Sequence, residues 1–198
     1  ELTLSRFPLD RFLTVDSLGS ASANFRLEGR YFSWPQAKTS VNAGIRQLFY
    51  KEHEYKDITL QATLDKTHLR GTMVSKDPDA PLDLVFRGDS LQQQYQVGLG
   101  GYIGKVDLQA LHLMQEPLTM GLKVDLQGFI GEHSAYALKA RFDSLSMADS
   151  RKTYTLGSLD IDMASDLKKT TLDVKTGDLQ LTFRADTSLA GFGESAGK

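Results

Sequence analysis

Residues 57 to 65 alternate without a break: Ile58, Leu60, Ala62 and Leu64 fall on one side of an extended chain, and Asp57, Thr59, Gln61, Thr63 and Asp65 on the other. A period of two belongs to a strand with one apolar and one solvated face, not to an amphipathic helix. The same grammar recurs from Ala23 to Ala185. Ala23, Phe25, Leu27, Gly29 and Tyr31 share a side, then Leu69, Gly71 and Met73, then Leu82, Leu84, Phe86 and Gly88. Tyr95, Val97, Leu99 and Gly101 follow, and Val106, Leu108 and Ala110 read as another strand. A phase slip between Ile103 and Val106 places a bulge or turn at Gly104-Lys105. Leu118, Met120, Leu122, Val124 and Leu126 form the longest run, closed by Gly128. Tyr136, Leu138, Ala140 and Phe142 come next, then Tyr154 and Leu156, Leu159 to Met163, Leu172 and Val174, and Leu179 to Ala185.

The punctuation between these runs is polar. Lys66-Thr67, Lys76 to Pro81, Gly88 to Ser90 and Thr176 to Asp178 are turns by composition. Leu2 and Leu4 suit a short strand ended by Pro8, with a brief helical turn over Asp10 to Leu13. Val41, Ile45, Leu48 and Phe49 lie in a strand of unclear period, and Tyr50 to Tyr55 reads as a turn or strand edge. Strands at this spacing predict an all-β, mostly antiparallel protein of about eleven strands. Two architectures fit: an elongated curled sheet with an open apolar groove, or a closed β-sandwich. The chain divides into one repetitive β domain over 1–186 and a flexible tail or start of a helix over 187–198.

On the open-groove reading the lining comprises Phe25, Leu27, Ile58, Leu60, Leu64, Leu69, Met73, Leu84, Phe86, Val97, Leu99, Leu122, Val124, Leu126, Leu138, Phe142, Leu181 and Phe183. Gly29, Gly71, Gly88, Gly101 and Gly128 stand in phase with these residues, where a sandwich places bulky side chains. They mark either bends that curl the sheet or room left for something other than protein. Strands stacked at about 4.8 Å give a sheet roughly 50 Å long and about 23 Å wide. Half a bilayer's hydrocarbon core is about 15 Å, so such a sheet has room for acyl chains.

Charge and composition narrow the function. With 23 basic and 25 acidic side chains and no concentrated basic patch, the 198-residue chain is not suited to nucleic acid. The absence of cysteine removes disulfides, thiolate metal sites and a cysteine nucleophile. No run of 18 apolar residues spans a bilayer as a helix. A start at Glu1 with no leader suggests a processed protein or a piece of a longer one.

Candidate chemistry is sparse. Gly193 to Gly197 places Ser195 in a G-x-S-x-G pattern, but no acid and histidine follow it. Gly191 to Ala196 imitates a dinucleotide fingerprint without its helix and distal acid. His53, His68, His112 and His133 stand isolated and read as solvated or turn residues. Asp77 and Asp79 suit calcium in a turn, yet lack the other ligands of an EF-hand loop. Asp160 and Asp162 have a spacing usable for acid and base work in a sugar hydrolase, and otherwise simply solvate a strand. Tyr31, Phe32 and Trp34 form the aromatic cluster, either packing or a sugar-stacking platform. The reading is therefore of a protein that is not an enzyme, with no cofactor and no metal ligand set. A carbohydrate-binding or adhesin-like β-sandwich using Trp34 is the alternative.

A resemblance sharpens this. Phe7-Pro-Leu-Asp-Arg-Phe-Leu13, followed by Ser20 to Gly29 and Pro35, resembles the repeat entry of the TamB and AsmA-like periplasmic proteins. Tyr55 to Gln61, Val106 to Leu113 and Thr176 to Leu181 are similar to recurring phrases of that group. The resemblance implies a β-taco, a sheet folded lengthwise into an open apolar groove, in a periplasmic protein anchored in the inner membrane of a Gram-negative cell. It implies phospholipid acyl chains as the cargo, moved between the membranes in outer-membrane biogenesis. It also implies an outer-membrane barrel partner, engaged through parts of the longer protein other than this chain.

Overall fold

Alternation sorts these residues into strands because each strand can bury one face only if its neighbours present the same face in register. The structure, a computed structural model, describes residues 1–11, 17–30, 36–91, 94–131, 135–149 and 151–188. Twelve strands follow one another: β1 (Leu2–Pro8), β2 (Leu18–Arg30), β3 (Lys38–Tyr50), β4 (His53–Asp65), β5 (His68–Ser75) and β6 (Leu82–Leu91). They continue as β7 (Gln94–Asp107), β8 (Thr119–Ile130), β9 (Tyr136–Ala148), β10 (Thr153–Ser165), β11 (Thr170–Thr176) and β12 (Leu179–Ala185). A 3-10 turn over Leu9–Arg11 follows β1.

All twelve belong to one antiparallel sheet whose spatial order is the chain order, β1 to β12, and the sheet does not close. Each strand packs chiefly on its sequence neighbours, and no second layer covers the sheet among the described residues. The β-sandwich alternative, which needs two layers about 10 Å apart, is therefore set aside. The open, elongated sheet is the architecture present.

Register makes the apolar face continuous. One row runs from Leu27 through Val41, Ala62, Gly71, Phe86, Leu99, Leu126, Ala140, Ile161 and Val174 to Leu181, with each residue directly opposite the next. A second runs Leu2, Phe25, Ala43, Leu60, Met73, Leu84, Gly101, Val124, Phe142 and Leu159. Leu84, Leu122 and Val124 are only 8%, 9% and 5% exposed, packed by Met73, Leu82, Leu99, Ile103, Leu126, Phe142 and Leu145. The opposite row, with Arg26, Asn42, Gln61, Asp125, Arg141 and Lys175, is exposed. A flat single layer would leave both faces equally open, so the sheet curls toward its apolar side.

Several details depart from the expected strands. Gly88 to Ser90 is not a turn, because Gly88 lies inside β6, opposite Leu69 and Val97. Leu108 and Ala110 are not strand residues: β7 ends at Asp107, whose Oδ1 accepts the amides of Gln109 and Ala110 at 3.0 Å and turns the chain. The break between β3 and β4 is narrower than Tyr50 to Tyr55. It is only Lys51-Glu52, both with positive φ (48° and 65°), as the tightest hairpin turns require. The register shift between Ile103 and Val106 falls where the sequence places it.

The polar face carries cross-strand pairs. Asp89 accepts from Arg70 at 2.9 Å and lies 2.6 Å from His68 Nδ1. Hydrogen bonding by Arg70, then by His68, holds the Asp89 carboxyl below the usual carboxylate range. A lowered folded value means the contribution is present above the unfolded value of about 3.9 and is lost as pH falls through the lowered one. The gap in melting temperature between the wild type and Asp89→Asn is therefore expected to be constant near neutrality and to shrink below about pH 4. A gap that persists undiminished in acid would show that this pair is not its source.

Candidate functional site

The candidate site is the apolar face itself. All eighteen residues expected to line a groove project from it, because they occupy the same rows of the register. Their exposure divides them. Leu84, Leu122 and Val124 sit on protein and form the floor of the curl. Phe25, Ile58, Leu60, Leu64, Leu69, Met73, Phe86, Leu99, Leu126, Leu138 and Phe142 are half-buried. Leu27, Val97, Leu181 and Phe183 are open, at 55%, 45%, 58% and 38% exposure. Apolar surface is thus available near both ends of the sheet and along the Val97 row, while the centre is already packed.

The in-phase glycines leave little empty room. A Cβ at Gly71 would meet the ring of Phe86, which lies across it, and one at Gly128 would meet Val97 Cγ2 at 2.7 Å. At Gly29 the obstruction is the backbone of Lys38 and Thr39, at 2.6 and 2.7 Å. Gly101 has φ +144° and abuts the backbone of Asp83 and Leu84. Gly88 alone among these five has ordinary contact distance, 3.6 Å to Leu69 Cβ. Cross-strand side chains and close backbones account for these glycines, so the reading of space kept free for a non-protein occupant does not hold at Gly29, Gly71, Gly101 or Gly128.

Depressions on the polar side are gaps between long side chains. One of about 410 Å³ is lined by the long side chains of Arg70, Arg87, Gln96, Gln127 and Lys139 and by Asp89, with Val97, Gly128, Phe129 and Ala137 between them. Asp160 and Asp162 face this side, 3.6 Å from Arg141 and Lys139 respectively, and are 42% and 58% exposed. Exposed carboxylates paired with cations serve solvation. Trp34 with Tyr31 and Phe32, His133, and the Gly191–Gly197 stretch with Ser195 lie outside the described residues, as do Phe12, Leu13, Pro35 and most of the tail.

The structure brings together one group that the sequence kept apart. Ile58 pairs with Ser75, so the start of β4 lies beside the Lys76 to Pro81 loop. Asp77, 1% exposed, accepts Lys56 N at 2.7 Å on Oδ2, and Asp79 N and Ala80 N at 2.9 and 3.2 Å on Oδ1. His53 lies against it, with Nε2 3.6 Å from Asp77 Oδ2. Burial, then the Asp77 charge, raises the Tyr55 phenol above its ordinary value.

These features define the class: an all-β chain forming one open, curled antiparallel sheet with an amphipathic cross-section. Compared with known proteins, the chain matches no family model, no curated protein and no solved structure.

Proposed function

We propose that the chain is a segment of a TamB-like periplasmic protein whose apolar sheet face shields phospholipid acyl chains in transit between inner and outer membranes. The observation that carries this reading is the apolar row from Leu27 to Leu181, continuous over eleven strands and, among the described residues, facing no second protein layer. At about 4.8 Å per strand the row is roughly 50 Å long, and its open stretches near Leu27, Val97 and Leu181 are where acyl chains would lie. Apolar contact is non-directional and yields roughly 25 cal/mol per Å² buried. Such a face therefore holds many lipids without selecting one, which suits conduction. The phrases that resemble those of the TamB and AsmA-like group, such as Phe7-Pro-Leu9 and Thr176 to Leu181, support the same reading.

The test is photo-crosslinking from single sites in the presence of phospholipid vesicles. A photoreactive residue at Val97 or Leu138 is expected to capture phospholipid, and one at Lys123 or Gln127, on the solvated face, to capture none. Equal labelling from both faces, or labelling from the polar face alone, would reject the proposal.

A further inference from the structure

The corner formed by the start of β4 and the loop after β5 gathers a cluster of side chains separate from the apolar face. His53 Nδ1 lies 3.1 Å from the carbonyl oxygen of Ala110, which can only accept, so Nδ1 bears the proton. In the neutral ring Nε2 is then a bare lone pair. It is buried, has no hydrogen-bond partner among the described residues, and points at Asp77 Oδ2 from 3.6 Å. A lone pair facing a carboxylate is repulsive unless something positive lies between them. An imidazolium would donate, yet 3.6 Å is too long for that hydrogen bond. Asp79 completes the group: one ligand atom each from His53, Asp77 and Asp79 lie within 4.8 Å of one another.

We propose that His53, Asp77 and Asp79 hold a divalent cation of the zinc class. Ligands at about 2.0–2.1 Å in a tetrahedral shell are roughly 3.3 Å apart, close to the His53–Asp77 separation. An imidazole ligand favours zinc over calcium or magnesium, which take oxygen. The surroundings are those of a metal-binding histidine, whose other nitrogen is fixed by a carbonyl. The Tyr55 ring holds the imidazole edge-on, with centroids 4.5 Å apart. The backbone amides of Lys56, Asp79 and Ala80 orient the Asp77 carboxylate. His53 also contacts Ala110 of the 108–118 loop and Asp79 O accepts from Asp107 N at 2.9 Å, so a cation here would brace the two residues that hold that loop to the sheet corner.

The test uses the 198-residue chain after chelation and dialysis, titrated with zinc chloride by calorimetry and with cobalt by absorbance. One equivalent of zinc is expected, with a rise in melting temperature and a tetrahedral cobalt band. Asp79→Asn and His53→Gln should weaken zinc by at least about tenfold, and Asp79→Asn should retain the circular dichroism of the wild-type sheet. Absence of saturable zinc binding, equal binding in both variants through exposed His68 and His112, or a preference for calcium would each overturn the proposal.

Discussion

Gly101→Ala is expected to destabilise the protein by about 2–4 kcal/mol, the sum of a strained conformation and a backbone clash. At φ +144° an L side chain is strained whatever the space around it, and the added Cβ would also press on Asp83 O and lie 2.9 Å from Leu84 Cα. Neither obstacle is a side chain that can swing away. Both belong to β6, in the ladder joining Leu84, Gly101 and Val124 at the packed centre. Gly88→Ala supplies the control. It lies on the same face, but its Cβ would find Leu69 at 3.6 and 3.8 Å, so the loss of chain entropy in the unfolded state should leave it neutral or up to about 1 kcal/mol more stable. Urea midpoints of the two variants measure the contrast. Similar values for both would mean that backbone conformation at Gly101 carries no special weight.

Val124→Asp is expected to remove the folded state under conditions in which Leu181→Asp leaves it intact. Val124 is 5% exposed among Leu84, Leu122 and Phe142, and a carboxylate placed there has no partner. The penalty is several kcal/mol, about 4 or more, against a total stability of about 5–15 kcal/mol for a typical domain. Leu181 lies in the same apolar row family yet is 58% exposed; a charge there stays in water and should cost about 0.5 kcal/mol or less. Circular dichroism distinguishes the two. If lipid capture from neighbouring sites is then lost in Leu181→Asp while the sheet persists, the open rim is the part of the face that meets acyl chains.

How much was legible in the sequence follows from what period-two patterning encodes. It places a residue on a face, and every one of Phe25, Leu60, Leu99 and Phe183 stands on the face expected. It also located the bulge at Gly104-Lys105, because a slip of phase must occur somewhere. Pattern alone does not say where a strand stops. Val106, Leu108 and Ala110 continue the alternation, but the Asp107 carboxylate accepts the amides of Gln109 and Ala110 and ends the ladder. Gly88 looked like punctuation and is instead a rung, since its neighbours Leu69 and Val97 supply the bulk. The cluster at His53 was invisible for a different reason: the residues are distant in sequence and are joined only by register. The signal was nevertheless there. A turn centred between Lys66 and Thr67 brings Asp77 beside Lys56, and Lys56 N does bond the Asp77 carboxylate, three positions from His53.

The chain-order sheet has a consequence for how the molecule assembles and comes apart. Because β1 to β12 each pair with sequence neighbours, no strand must find a distant partner before its contacts form. Folding is then zippering, hairpin upon hairpin, with low loop-closure cost at each step. Stability behaves as a chain of neighbour terms, as in solenoids, so opening spreads inward from the ends while the segment around Leu84 and Val124 is last to go. A sheet built in this way lengthens by adding hairpins without redesign of those already in place.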